Sequence, residues 1–270
     1  MPEGVGLALH DNTRRALGDL GAWYRGLLPA TVLGVTGSSG KTTTKNIVAA
    51  LFGEHLPVVA SPSSFNNDIG VPHTLLLAEE TTRLLVVEMG TNHPGEIARL
   101  ARLARPQIGI ITNVGASHLE GLGSLEGVAR EKGALAEALP ADGLLVLNAH
   151  SRHRAELAAR ARGRVVTYSV EGRGDERGEL DARELYFHAL GTTFRLSGLG
   201  LEGREVTSPL LGTHNVENLL ASLCVAPALG FEVGELLAAL PALRPARSRM
   251  ERIELAGVTL FDDCYNSNPG

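Results

Sequence analysis

An α/β fold, a mostly parallel sheet with helices on both faces, is predicted by three observations in this sequence. Short apolar runs such as Leu84-Leu-Val-Val-Glu-Met89 alternate with longer segments whose apolar residues recur every three or four positions. That alternation is the mark of βαβ units. The runs are apolar on consecutive residues, as strands covered on both faces require. A glycine-rich turn, Gly37-Ser-Ser-Gly40, separates the first clear run from the first strong helical pattern, where a strand hands over to a helix N-terminus.

In order, residues 1–30 form a lead-in segment: a short strand at 5–9, then a helix capped by Asp11 or Asn12 and running through Trp23 and Tyr24. A strand is predicted at 31–36 and a helix at 41–52, where Ile47, Val48, Leu51 and Phe52 share a face and Gly53 closes the pattern. Strands at 84–89, 108–112, 144–147 and 165–169 then alternate with helices at 95–104, 124–139 and 151–161. Gly37, Glu88 and Thr112 fall at carboxyl ends of strands, where sheets of this kind bind ligands. Beyond the polar turn 171–178, short antiparallel strands at 184–188, 192–199 and 204–207 make a small antiparallel β subregion. Helices follow at 215–229 and 233–240, and 241–245 reads as a linker. A hairpin with strands 250–255 and 258–265 turns at Ala256-Gly257. The expected division is a lead-in at 1–30, a central domain at 31–245 and the start of a truncated C-terminal domain at 246–270.

Composition removes several functions. With 25 Lys plus Arg against 30 Asp plus Glu, the net charge of −5 does not suit a protein that binds nucleic acid through a broad basic face. Two cysteines make no disulfide framework, which suits a reducing cytoplasm. No apolar run is long enough to span a membrane, and the N-terminus lacks a signal-peptide pattern. Only three of the basic residues are lysines: Lys41, Lys45 and Lys132. Genomic or thermal bias accounts for that scarcity but not for where the three stand.

Gly37-Ser-Ser-Gly-Lys-Thr42 has the form of a phosphate-binding loop. Phosphate oxygens need converging donors, supplied by glycine-permitted backbone N–H groups and a helix N-terminus. Lys41 would carry a positive charge to the β- and γ-phosphates, and the Thr42 hydroxyl would bind Mg²⁺. Val35 stands where the usual pattern has its leading glycine. Lys45, one turn on, reads as solvated or as an addition to the phosphate field.

Seven motifs then follow in one order. They are Val35-Thr-Gly-Ser-Ser-Gly-Lys-Thr-Thr43; Ser64-Phe-Asn-Asn-Asp-Ile-Gly-Val-Pro72; Glu88-Met-Gly-Thr-Asn92 with Gly95-Glu-Ile97; Ile111-Thr-Asn-Val-Gly115 with His118; Glu131-Lys-Gly133; Gly212-Thr-His-Asn-Val-Glu-Asn218; and Asp262-Asp-Cys-Tyr-Asn-Ser-Asn-Pro269. Together they resemble the Mur ligase family, whose loop lacks the leading glycine, and within it the MurF branch, which adds D-alanyl-D-alanine.

The resemblance implies an ATP- and Mg²⁺-dependent ligase of peptidoglycan precursor synthesis: cytoplasmic, monomeric, and joining D-Ala-D-Ala to UDP-MurNAc-tripeptide through an acyl phosphate. It implies that Thr36, Gly37, Ser38, Ser39, Gly40, Lys41, Thr42 and Thr43 hold the nucleotide phosphates, with Arg249 and Asp263 reaching in from the domain junction. Ser248 replaces the glycine the family usually has before that arginine. Tyr265, Asn266 and Asn268 fall in the same hinge. Asn215 and Asn218 would recognise adenine, or else cap the helix beginning there. Thr42, Glu88, His118 and Lys132 would form the metal site, with Lys41, Lys132 and His118 catalytic. Lys132 is implied to act as a carbamylated lysine, because an ammonium repels Mg²⁺ whereas the CO₂ adduct is an anion. The alternative is a helix-surface lysine paired with Glu131 or Glu137. Glu88 alternatively reads as a solvated strand end, His118 as a loop hydrogen-bonder, and Asn66 and Asn67, implied to lie near the peptide substrate, as an Asn-rich turn.

Little of the family's N-terminal sugar-binding domain fits before Thr31, and only the first strand of its C-terminal domain fits after Pro245. This predicts nucleotide binding with weak or absent ligation. A folylpolyglutamate synthase-like ligase and an inert nucleotide-binding scaffold of cell-wall synthesis are the competing readings.

Overall fold

The computed structural model describes residues 9–265. Apart from Leu9, the strand expected at 5–9 lies outside the described residues, as do Asn266 and Asn268. Helix α1 (Thr13–Arg25) starts at Asn12, whose side chain accepts a hydrogen bond from the Arg15 N–H and satisfies one of the helix's orphan donors. Strand β1 (Thr31–Thr36) and helix α2 (Lys41–Gly53) follow, then β2 (Val58–Ala60), α3 (Gly70–Leu76), β3 (Leu84–Glu88), α4 (Glu96–Ala104) and β4 (Ile108–Ile111). The next elements are α5 (Leu119–Leu122), α6 (Leu125–Ala138), β5 (Leu144–Asn148), α7 (Arg154–Arg160) and β6 (Arg164–Val170). Strands β7 (Leu180–His188), β8 (Gly191–Gly198) and β9 (Leu201–Ser208) precede α8 (Thr213–Leu223) and α9 (Val233–Leu236). The hairpin of β10 (Glu251–Leu255) and β11 (Val258–Asp262) ends the described chain.

The first nine strands form one sheet in the order β2-β3-β1-β4-β5-β6-β7-β8-β9. Neighbours from β2 to β7 run parallel, and the β7–β8 and β8–β9 pairs are antiparallel, so that β8 alone is reversed. The expected α/β class is therefore observed. The antiparallel strands extend the edge of the parallel sheet through β7, which pairs with β6 on one side and β8 on the other.

Alternate residues of each strand feed two cores. Leu33, Val35, Leu84 and Val86 pack with Ile47, Val48 and Leu51 of α2 and with Leu219 and Leu220 of α8. Val32, Leu85 and Val87 pack with Val71 of α3, Ile97 of α4, Leu135 of α6 and Leu157 of α7. Because both faces are covered, the strands carry unbroken apolar runs. No helix among the described residues is long and apolar enough to cross a membrane.

Three elements were not expected from the sequence, the helix expected at 151–161 starts only at Arg154, and two others stop several residues early. Strand β2 has three residues, α5 is a single turn, and α3 holds Gly70 and Pro72 in its first turn, where a missing N–H costs no helical hydrogen bond. The predicted helix at 215–229 stops at Leu223, and the chain continues as a 3₁₀ turn, Ala226–Leu229, around Pro227. The helix predicted at 233–240 becomes the single turn α9 and then a 3₁₀ turn, Leu237–Ala242, which contains Pro241 and reaches into the expected linker.

Helix α6 lies unusually close to the sheet. Gly34 of β1 and Gly109 of β4 are cross-strand partners. A Cβ on either would stand 3.1–3.2 Å from the Leu135 side chain, so Leu135 would have to give way by a few tenths of an ångström. The glycine pair thus forms a seat for Leu135, and Lys132, one turn earlier on α6, is held at the carboxyl ends of β1 and β4. Leu135→Ala is expected to lower stability by about 2–5 kcal/mol through the cavity it leaves. Urea unfolding followed by circular dichroism measures this, and a loss below about 1 kcal/mol would refute the seat.

Candidate active site

The loop between β1 and α2 takes its shape from its two glycines. Gly40 has φ 78°, a left-handed conformation that glycine adopts without strain. A Cβ at Gly40 would overlap the Asn218 carboxamide, and one at Gly37 would overlap the Thr112 hydroxyl. Residues that follow β4 hold the loop from below. The Thr112 hydroxyl donates to the Ser39 carbonyl (2.6 Å). The Asn113 side-chain oxygen accepts from the N–H groups of Ser38 (3.0 Å) and Ser39 (2.9 Å). Lys41 folds back so that Nζ donates to the Gly37 carbonyl at 2.8 Å. Thr36, Thr42 and Thr43 are buried beside it, and the Thr36 hydroxyl has no partner.

On one side of Lys41 lies a cavity of about 290 Å³, lined among others by Asn66, Asn67, Thr91, His118 and Lys132. Glu88, at the end of β3, lies behind Asn66 of its wall. It is 1 % exposed, which rules out a solvated strand terminus. Its Oε1 accepts from Asn66 Nδ2 at 2.8 Å, while Oε2 is buried with no partner. Asn67 caps the first turn of α3, accepting from the Ile69 and Gly70 N–H groups, so the turn reading applies to Asn67 even though it lines the cavity.

Lys132 is likewise 1 % exposed. Burial pushes its amine down to about 7; repulsion from Lys41 adds to this, and attraction from Glu131 opposes it. The surface ion pair considered from the sequence does not form. Both Glu131 oxygens face the start of α4, accepting from Gly95 N and Ile97 N at 2.7 Å each, and Glu137 pairs with Arg160. His118 sits at φ 53°. Burial lowers its pKa, with Lys132 and Lys41 adding to the effect and Glu96 opposing it, so the imidazole is neutral near pH 7 and has a lone pair to offer. Lys45 corrects the solvated reading: it is 3 % exposed and donates to the carbonyls of Ser61 (2.5 Å) and Ser63 (2.8 Å).

On the other side of the loop a cavity of about 330 Å³ is lined by Ser39, Gly40, Thr43, Asn215, Asn218, Arg249 and Asp263, among others. Asn215 is no N-cap. Gly212 holds that position without a side-chain bond, and the Asn215 amide donates to the Leu211 carbonyl (2.8 Å). Asn218 Oδ1 accepts from the Thr44 hydroxyl (3.2 Å), tying α8 to α2. Arg249 lies 4.2 Å over the Tyr265 ring and donates to the Thr42 hydroxyl at 3.4 Å. The Tyr265 and Ser64 hydroxyls are 2.8 Å apart, and Asp263 accepts from Met250 N. Of the expected residues, Lys41, Asn66, Asn67, His118 and Lys132 therefore line one cavity and Ser39, Gly40, Thr43, Asn215, Asn218, Arg249 and Asp263 the other, while Thr42 lines a third beside Lys45 and Tyr265 and Glu88 lies behind Asn66.

Sequence reasoning missed two contributors. Asp68 on the wall of the first cavity ion-pairs with Arg14 (2.5 Å) and Arg99 (3.6 Å), a pairing across distant segments that carries no local signal. Asn113 was visible within its motif but had no role.

A phosphate loop at the switch of a parallel sheet, with a polar cavity on either side, defines a P-loop nucleotide-binding domain. Residues 35–226 match the Mur ligase middle domain, and the chain belongs to the Mur ligase family. The UDP-N-acetylmuramoyl-tripeptide–D-alanyl-D-alanine ligase of Escherichia coli (strain K12) is 36% identical over 260 residues, covering 96% of this chain and 57% of the relative. MurF from Acinetobacter baumannii superposes with a TM-score of 0.89 at 30% identity, over 100% of this chain and 58% of that one. MurF from Thermotoga maritima in complex with ADP gives 0.87 at 27%, over 100% and 61%. The chain spans about half the length of the curated relatives it matches.

Proposed function

We propose that the chain is the ATP-using domain of a ligase of peptidoglycan precursor synthesis that joins D-Ala-D-Ala to UDP-MurNAc-tripeptide, acting as a cytoplasmic monomer. The observation that carries this is the pair of cavities on either side of the phosphate loop, one lined by Gly40, Asn215 and Asn218 and one lined by Lys41 and the buried Lys132, with the buried Glu88 bonded to Asn66 on its wall. ATP would lie in the cavity lined by Gly40, Asn215 and Asn218, and the peptide carboxylate would approach the γ-phosphate from the cavity lined by Lys132. Transfer of the phosphoryl group to that carboxylate gives ADP and an acyl phosphate. The amine of D-Ala-D-Ala then attacks the carbonyl carbon, the C–O bond breaks, and inorganic phosphate leaves. A folylpolyglutamate substrate is not favoured, since the relatives above carry D-alanyl-D-alanine-adding or MurF names.

The donor set suits Mg²⁺. The unpartnered, buried Glu88 Oε2 and the Thr42 hydroxyl are hard oxygen ligands. Among the described residues no three acidic, His or Cys side chains cluster into a dedicated cage, and Mg²⁺ ordinarily takes only one or two carboxylates plus phosphates and water. Lys132 as a carbamate and the neutral His118 would serve a second ion. When bound, Mg²⁺ neutralises charge on the transferring phosphoryl group. Lys41 adds a fixed positive charge, Asn66 orients Glu88, and Arg249 approaches from the junction with the hairpin. The carbamate forms when the neutral Lys132 amine attacks CO₂ and releases one proton, leaving an anion. Asn215 and Asn218 would face the adenine, with Asp263 at the hinge; residues 31–245 form the central domain and 246–270 open the next.

Calorimetric titration of this chain with ATP is expected to show saturable binding that strengthens when Mg²⁺ is added. A folded chain that binds no ATP would remove this reading.

A further inference from the structure

The donors of the phosphate loop fall into two groups. The first is already engaged by the segment after β4. Asn113 Oδ1 accepts from both Ser38 N and Ser39 N, and its Nδ2 donates to the Ser39 hydroxyl at 2.6 Å. The Asn113 carbonyl also accepts from Ser38 N at 3.1 Å. The Ser38 hydroxyl is equally committed: it donates to the Gly115 carbonyl (3.0 Å) and accepts from Gly115 N (2.9 Å) and from the Ser117 hydroxyl (2.9 Å). Ser38 thus ties the loop to the turn that ends at His118.

The second group is the opening of α2, a helix of 13 residues whose N-cap, Gly40, has no side chain to cap it. The N–H groups at its start are orphan donors, and they point where an anion is stabilised.

We propose that Asn113 is the positioning residue of the phosphate loop. Its carboxamide fixes the loop's curvature by holding Ser38 N and Ser39 N, so that phosphate is left to the N–H groups of Gly40, Lys41, Thr42 and Thr43. The inference rests on the nucleotide-binding reading, but its geometry is independent of it. A carboxamide suits the task because its oxygen accepts two N–H groups while its nitrogen donates to a hydroxyl. A carboxylate would accept equally well but would bring an anion next to phosphate.

Three measurements on this chain test it. In Asn113→Ala, the Ser39 amide loses its acceptor, and its hydrogen exchange by NMR should accelerate at least about tenfold, whereas Ser38, still bonded to the Asn113 main chain, changes less. ATP affinity of that variant should fall at least about tenfold while adenosine affinity stays within about twofold, since adenosine has no phosphate to place. Asn113→Asp should retain slow Ser39 exchange yet lose ATP affinity, more for ATP than for AMP. A rise in ATP affinity in Asn113→Ala, which a placeholder displaced by phosphate requires, overturns the proposal. So does an equal loss for ATP and adenosine, which marks a merely structural role, or an unchanged Ser39 exchange rate. If the unsubstituted chain binds no ATP, the functional reading fails, and the exchange data still decide the role of Asn113.

Discussion

Lys132→Met is expected to abolish CO₂ uptake by this chain. With ¹³CO₂ supplied, the unsubstituted protein should show a carbamate carbon signal by NMR and the variant none. The variant should also slow acyl-phosphate formation from ATP and the UDP-linked peptide on the order of 10²–10³-fold, the scale of removing one preorganised charge-stabilising group. Methionine matches the length and burial of the lysine stem without a charge, so the fold should hold. Lys132→Arg keeps a cation that cannot deprotonate in a site that is 1 % exposed, and it should lower stability as well.

The pH dependence follows from the amine's lowered pKa, about 7. Below that value the amine is protonated, and its reactive fraction falls tenfold per pH unit; above it the neutral form dominates. At fixed dissolved CO₂ the carbamate signal should therefore rise steeply from pH 6 to 8, and because carbamylation itself releases a proton it should level off only where the site is fully carbamylated. The same lowering makes the folded state bind fewer protons than the unfolded chain between about 7 and 10.5, so unmodified Lys132 contributes stability that rises with pH across that window. A carbamate signal that persists in Lys132→Met would place the CO₂ elsewhere.

How far the site was legible in the sequence depended on whether a role is local. Gly37, Gly40, Lys41 and Thr42 stand within six residues of chain, so spacing alone was enough to draw the turn from β1 into α2. The strand ends at Glu88 and Thr112 followed from apolar runs that any doubly covered sheet imposes. Lys132 shows the opposite case: its helix was visible, but its burial depends on the Gly34–Gly109 seat beneath Leu135, a contact across three elements. Asn113 was quoted within a motif, yet its function appears only when β4 lies beside β1 and brings the two loops together. Of the two readings of Lys45 the solvated one failed, because the carbonyls of Ser61 and Ser63, distant in sequence, fold over it. The short β2 and α3 were missed because a three-residue strand shows no period and Pro72 breaks the helical pattern.

Glu88→Gln isolates the metal from the rest of the phosphate site. Gln preserves the shape of the side chain and can present an oxygen to Asn66 Nδ2, so the hydrogen bond now measured at 2.8 Å need not be lost. What disappears is the negative charge carried into a buried position by Oε2, the atom left without a protein partner. A divalent cation held by a carboxylate, a hydroxyl and phosphate oxygens depends strongly on that charge, because hydroxyl and phosphate alone leave it largely hydrated. ATP affinity in the presence of Mg²⁺ should fall on the order of 10²-fold. In the presence of a chelator it should stay the same or rise slightly, because a carboxylate near the γ-phosphate repels it when no cation intervenes. The variant and the unsubstituted chain should therefore converge as Mg²⁺ is withdrawn. Equal losses with and without Mg²⁺ would mean that Glu88 supports the loop through its hydrogen bonds instead of serving the cation, and calorimetric titrations at several Mg²⁺ concentrations separate the two.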